Sequence, residues 1–336
     1  MMKKKSINKS SSSKQNLVLL GLLVVILLFF TLQNPKFFSL YNIMNIMRQN
    51  VPNFIIACAM MFVIASGAID LSIGGVMALS AVTYGYLCIW GINPWVSILL
   101  VMVLGIIVGV VNAIITEKFH IPAIMATLAT WLITAGLALT ICNAIPISDE
   151  PVKAITVLNK MKFFDDKIPL ALFIILGVII IFFFLEKKTI LGKYAIAIGG
   201  NENAARYSGI NVAKMHTIYF VLCSVMAALA GVWQVARLGS ADPKIGIGME
   251  FTVISACILG GVNIKGGAGS IVGVVIGTAI LAVLTNGMQM MDIQSFYQQV
   301  VTGIVLLGAV LLDYFFTYLR KSKTRPKAIE TQEQIN

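Results

Sequence analysis

Charge is scarce in this chain. Of its 336 residues 12% are charged against 58% hydrophobic, and the mean hydropathy is +0.91; a soluble domain carries about twice that charged fraction. A large aqueous domain is excluded, and with it any chemistry that needs one within this polypeptide, such as ATP hydrolysis. Histidine is nearly missing: His120 and His216 each lie near a lysine, and neither has a carboxylate or cysteine at H-E-x-x-H spacing, which excludes metalloprotease-type chemistry. The five cysteines (Cys58, Cys88, Cys142, Cys223, Cys257) sit in apolar stretches without C-x-x-C spacing and read as small core residues. Gly260–Ser270 is glycine-rich but lacks G-x-x-x-x-G-K-[ST], so it reads as a flexible turn between helices rather than a phosphate cradle. Acidic groups are also missing where an ion-coupled carrier needs them, deep in the membrane. Glu250, Asp292 and Asp313 fall near expected helix ends, which argues against secondary transport.

Long charge-free runs take the place of charge: Leu17–Pro35, Gln49–Ile69, Leu71–Thr116, Ile168–Leu185, Met215–Ala236, Gly266–Met291 and Ile293–Leu312. At about 20 residues per crossing, with Gly91-Ile92-Asn93-Pro94 dividing the longest run, they predict an all-α polytopic membrane protein of about ten transmembrane helices. The expected spans are 17–33, 51–67, 71–90, 95–116, 122–143, 168–185, 214–237, 248–262, 269–290 and 295–318. Lys3-Lys4-Lys5 before Leu17–Thr31 resembles a signal peptide, but no small-x-small site follows, so the segment is retained as the first helix. Phe38–Asn50, with Ile43, Ile46 and Met47 at helical spacing, predicts a separate amphipathic helix in the interface.

Ten crossings put both termini on one side. Placing them in the cytoplasm leaves 17 of the 25 Lys and Arg on internal segments, as positive charge prefers. The remaining eight (Lys36, Arg48, Lys153, Lys160, Lys162, Lys167, Arg237, Lys244) are accompanied by Asp149, Glu150, Asp165, Asp166 and Asp242. The chain divides into a basic cytoplasmic tail (1–16), a membrane domain (17–318) and a basic, polar cytoplasmic tail (319–336). Within the membrane domain lie an external loop (144–167) and an internal loop (186–213). The basic residues mark topology, with no face suited to nucleic acid. In the internal loop, Asn201 can cap a short helix ended by Gly209; such a helix reads either as a docking knob or as a solvated loop.

Two glycine-rich joints echo each other. Gly67-Ala68-Ile69-Asp70-Leu71-Ser72-Ile73-Gly74 and Gly239-Ser240-Ala241-Asp242-Pro243-Lys244-Ile245-Gly246 share Gly, Asp, Ile and Gly, each 172 positions apart. A weaker pair is formed by Asn112 and Asn286. The offset spans five crossings, so the copies are inverted in the membrane, the first joint inside and the second outside; such repeats place the substrate route near the midplane. Asp70 and Asp242 each precede an apolar run and read as caps for the next helix or as gating groups. Neutral polar and aromatic residues available to line a route are Tyr84, Asn112, Trp131, Trp233, Gln234, Asn286, Gln298 and Gln299. Amides beside flat rings suit an uncharged sugar, and each also suits helix packing.

From about Asn42 to Asp313 the sequence resembles the membrane permeases of ATP-binding-cassette importers of the ribose, xylose and galactose type. The resemblance is carried by Gly67–Gly75 with Leu79-Ser80, Gly192–Asn201, Ala204–Ile210, Ala236–Ser240, Gly260-Gly261 with Gly266–Gly273, and Ser295–Gln299. It implies a bacterial cytoplasmic-membrane subunit that is not itself an enzyme and holds no cofactor, with ATP-Mg on partner subunits. The implied partners are cytoplasmic ATP-binding subunits, an external sugar-binding protein and a second permease chain, identical or different. The resemblance marks Gly199, Gly200, Asn201, Glu202, Ala204, Ala205, Arg206 and Gly209 as the coupling segment, with Ala204, Ala205 and Gly209 seating in the ATPase. Family members often carry Glu where this chain has Asn203. Nucleoside and branched-chain amino-acid permeases share the same helix plan.

Overall fold

The computed structural model describes residues 9–165 and 168–324. Residues 1–8, Asp166, Lys167 and 325–336, which include the outer parts of both basic tails, lie outside the described residues. The helices are α1 (Lys9–Gln33), α2 (Leu40–Ala65), α3 (Ile73–Ile89), α4 (Pro94–Lys118), α5 (Ala123–Ile141), the short α6 (Glu150–Lys153) and α7 (Thr156–Lys160), α8 (Leu170–Lys188), α9 (Ile190–Gly200), α10 (Glu202–Tyr207), α11 (Val212–Leu238), α12 (Met249–Leu259), α13 (Ile271–Met290) and α14 (Ser295–Thr324). Seven of these, α1, α2, α4, α5, α8, α11 and α13, are long and apolar enough to cross a membrane. The chain is an all-α polytopic membrane protein. Its only sheet among the described residues is a two-stranded antiparallel ribbon, β1 (Lys162–Phe163) with β2 (Ile168–Pro169), which pairs Lys162 with Pro169.

Local chemistry sets most boundaries. Pro94 opens α4 and the Asn93 side chain accepts the Trp95 N–H at 2.9 Å, the proline supplying a helical φ where no donor is needed. Ser39 caps α2 through the Asn42 N–H, and Gly239, left-handed at φ 70°, closes α11. α1 is already helical at Lys9, before its apolar run, and α14 is still helical at Thr324, past 318. Helical hydrogen bonding continues into the polar flanks because lysine and serine do not break it.

α2 and α11 form the centre. Two thirds of the apolar window of each is buried inside the protein, compared with 11% for α1. α3, α4 and α5 pack on one side of this pair, and α8, α12 and α13 on the other. Gly105 and Gly109, spaced four apart on α4, let its backbone approach α11, where a Cβ on Gly109 would stand 2.6 Å from the Val221 Cα. Small residues at this spacing are the usual means of close helix contact in lipid.

Two expectations change here. The interfacial helix Phe38–Asn50 does not exist as a separate element; from Leu40 it is the first part of α2, which runs unbroken through Pro52. A proline inside a helix removes the donor for the carbonyl four residues back. That carbonyl, on Arg48, receives the Trp233 indole N–H from α11 at 2.9 Å, so the helix continues. The other change concerns α12. With 11 residues it rises about 16 Å, roughly half of a hydrocarbon core, and therefore does not cross alone.

Candidate functional site

One face of the bundle carries α9 and α10. The Asn201 side chain accepts the Ala204 N–H at 2.9 Å, Arg206 pairs with Glu202 one turn back at 2.7 Å, and Gly209 ends the segment at φ 85° with no atom within 4 Å of its Cβ direction. Asn203, Ala204, Arg206 and Tyr207 are exposed, Tyr207 to 92%. Ala205, expected on the docking surface, is buried at 5% exposure; it faces the protein and seats the helix. Gly200 is exposed.

Gly199 does something different. A Cβ there would overlap the Ala65 carbonyl oxygen and stand 2.5 Å from the Gly267 nitrogen, while the Gly267 N–H donates to the same Ala65 oxygen at 2.9 Å. On the neighbouring strand of chain, a Cβ on Gly266 would lie 2.8 Å from the Gly199 Cα and 2.9 Å from the Gly67 nitrogen. The Gly260–Ser270 run is thus no loose turn: Gly266 and Gly267 are needed because three backbones cross in contact there. The end of α9, the end of α2 and the turn before α13 form one seam. Ser66, next in the chain, sends its carbonyl toward His216 Nε2 at 3.4 Å, and His216 Nδ1 lies 2.5 Å from Glu117 Oε1. Glu186 accepts the Ile271 N–H at 3.0 Å. None of these long-range pairs leaves a trace in local spacing.

From this seam the first joint climbs into the bundle. Thr127 of α5 accepts the Leu71 N–H at 3.0 Å and donates to Ala123 O at 2.8 Å. Asp70, fully buried, accepts the Ser72 N–H and hydroxyl on one oxygen at 2.9 and 2.5 Å. It orders the joint rather than capping the free donors of α3, whose N-cap residue is Ser72. Asn112 donates to the Ser72 hydroxyl at 2.9 Å, and the second Asp70 oxygen has no partner among the described residues.

The second joint descends from the opposite face. There Ala241 and Ile147 exchange backbone hydrogen bonds of 2.8 and 3.1 Å, tying the joint to the 144–167 loop. Asp242 accepts the Lys244 N–H at 2.8 Å and so caps a turn; α12 starts only at Met249, with Gly248 at its N-cap. Gly239 lies beside Thr156.

The two joints meet. A Cβ on Gly74 would overlap the Gly246 carbonyl oxygen, and a Cβ on Gly246 would stand 2.6 Å from the Gly74 carbonyl oxygen. From this contact the 11 residues of α12 lead back toward the α9–α10 end over a helix length of about 16 Å, and the 17 residues of α3 lead toward the other end over about 25 Å. The joints thus approach from opposite ends of the bundle and end in contact between them. Glu250, read from sequence as lying near a helix end, is 5% exposed at this contact, with Oε2 unpartnered. The expected span 248–262 is itself shorter than a crossing requires, and that is the available signal.

The other residues proposed for the route are scattered. Trp131 stands at the junction, its Nε1 3.1 Å from the Cβ position of Gly74. Asn286 is paired with Asn42 by hydrogen bonds of 2.8 and 3.1 Å. It borders a polar cleft of about 210 Å³ lined also by Gln49, Asn53, Arg237, Thr285 and Gln289. Gln298 donates to the Ile293 carbonyl at 2.8 Å, Gln299 is exposed, and Gln234 accepts from Arg237 Nε at 2.7 Å. All five cysteines are free and buried.

Residues 42–310 match the family model described as branched-chain amino acid transport system / permease component. The chain belongs to this permease family. The permease is 36% identical over 281 residues to the ribose import permease protein of Escherichia coli (strain K12), covering 83% of this chain and 88% of that protein. It is 38% identical over 284 residues to the ribose import permease protein of Bacillus subtilis (strain 168), covering 84% and 88%. To the L-arabinose transport system permease protein of Escherichia coli (strain K12) it is 38% identical over 270 residues, 80% of each chain. No solved structure matches the permease.

Proposed function

We propose that this permease forms the membrane path of an ATP-driven importer for a monosaccharide, a ribose-like pentose or a hexose. ATP is hydrolysed by separate cytoplasmic subunits, and the cargo is delivered by an external binding protein to a pair of permease chains, identical or different. In this reading the α9–α10 face is cytoplasmic and both termini lie on that side. The observation that carries it is the placement of α10: a capped, exposed helix whose root, Gly199, is wedged against the end of α2 just before the first joint. Force applied to α10 is delivered within a few residues to a segment that reaches mid-membrane. A ligand shifts such an equilibrium only by binding its states differently; ATP on the inner subunits and the loaded binding protein outside supply that difference.

The test is reconstitution in lipid vesicles with labelled D-ribose and L-arabinose. The permease with its ATPase and binding protein accumulates sugar against a gradient when ATP is supplied, and the permease alone accumulates none. Gly209→Trp on the docking helix abolishes uptake; unchanged uptake and ATPase stimulation in that variant rule out the docking assignment. The family description favours one second reading, an amino-acid importer, which predicts accumulation of labelled leucine instead.

A further inference from the structure

We propose that the junction of the two joints is a closed gate, and that Glu250 and Trp131 are the groups that receive the hydroxyls of a neutral sugar when it opens; this rests on the importer reading above. Gly74 and Gly246 are equivalent under the 172-residue offset, and their contact is reciprocal, each lacking room for a Cβ because of the other's carbonyl. Residues exchanged by a two-fold operation touch only at its axis, so the two inverted halves close on each other at this point. A single side chain in either place holds the halves apart.

The groups around the contact are not satisfied by it. Glu250 Oε2 lies 2.5 Å, and Trp131 Nε1 3.1 Å, from the position a Cβ on Gly74 would take. The Glu250 Oε2 oxygen is buried without a partner among the described residues. A buried carboxylate oxygen without a donor is costly and persists where a ligand or water supplies the donor. Irregular backbone at membrane depth survives only inside protein or along a water-filled cavity. A carboxylate accepts two hydroxyl hydrogen bonds, while an indole offers an apolar face to sugar C–H groups and one donor to a ring or hydroxyl oxygen. That combination fits an uncharged polyol.

The experiment uses the complete complex in vesicles with labelled D-ribose. Glu250→Gln and Trp131→Phe each lower the ribose moved per ATP hydrolysed at least tenfold, and Gly74→Ala raises passive ribose efflux without ATP severalfold because the halves no longer seal. Unchanged stoichiometry in both Glu250→Gln and Trp131→Phe overturns the sugar contacts, and unchanged efflux in Gly74→Ala overturns the gate. Trp131→Phe removes the indole donor while keeping an aromatic ring, and serves as the independent test should Glu250→Gln fail to fold. If the unmodified complex accumulates leucine and no ribose, the sugar reading itself is lost and the polyol assignment goes with it.

Discussion

Asn42 and Asn286 exchange two amide hydrogen bonds between α2 and α13, both side chains nearly fully buried. Leaving one amide without the other exposes a polar group to an apolar interior, a penalty of about 1–3 kcal/mol, whereas removing both is close to neutral. Asn42→Leu and Asn286→Leu are therefore each expected to lower the thermal unfolding temperature of the purified protein in detergent, and the double variant to recover only part of the loss, because the Asn42 amide also donates to the Phe37 carbonyl at 2.8 Å. In the sequence Asn286 read equally as a route residue and as packing; the structure pairs it with a partner 244 positions away, at the border of the polar cleft, and nothing local announces that partner. Gly199 shows the same limit. The motif drew attention to it for docking, yet its role is to admit the Ala65 carbonyl where any side chain would collide.

At the level of whole helices, Pro52 shows how a local break signal is overridden. The Arg48 carbonyl it leaves free is capped by the Trp233 indole of α11, and α2 continues for 26 residues. Trp233→Phe is expected to destabilise the protein by about 1–3 kcal/mol through that unpaired carbonyl. In a Pro52→Ala background the restored backbone N–H takes over the bond, and the same change has a smaller effect. A double-mutant cycle on chemical or thermal unfolding reads this coupling; additive effects would show that the indole bond contributes nothing to α2. The short α12 was detectable in principle from its distance between Glu250 and Gly260. Its meeting with α3 was not, because joint geometry depends on which faces of α5 and α11 are available to pack against.

For the molecule as a whole, the glycine seam joins the exposed α10 to the start of the first joint, and the first joint to the second. Gly199→Val inserts volume into that seam, and overpacking of this kind destabilises by about 1–3 kcal/mol. We expect the variant to assemble with its ATPase and hydrolyse ATP while sugar uptake falls steeply, a split measured by comparing ATP turnover with labelled ribose accumulation in vesicles. Retained uptake would place the transmitting contact elsewhere, along Glu117–His216 or Glu186–Ile271.

Composition and hydrophobic run length by themselves determined that this protein lives in a bilayer, where most of its long helices lie, where α10 is capped and ended, and that its two glycine joints share residues at a fixed offset. These features depend on properties read along the chain: apolar length against membrane thickness, turn chemistry, and identity at a fixed offset. Only the tertiary structure decided that the joints touch, that Glu250 is interior, that Ala205 faces inward and that Gly199 is a crossing point. Each of these is a contact between segments far apart in sequence. Such contacts follow from which helix faces fill one another's space, and one-dimensional spacing does not carry that information.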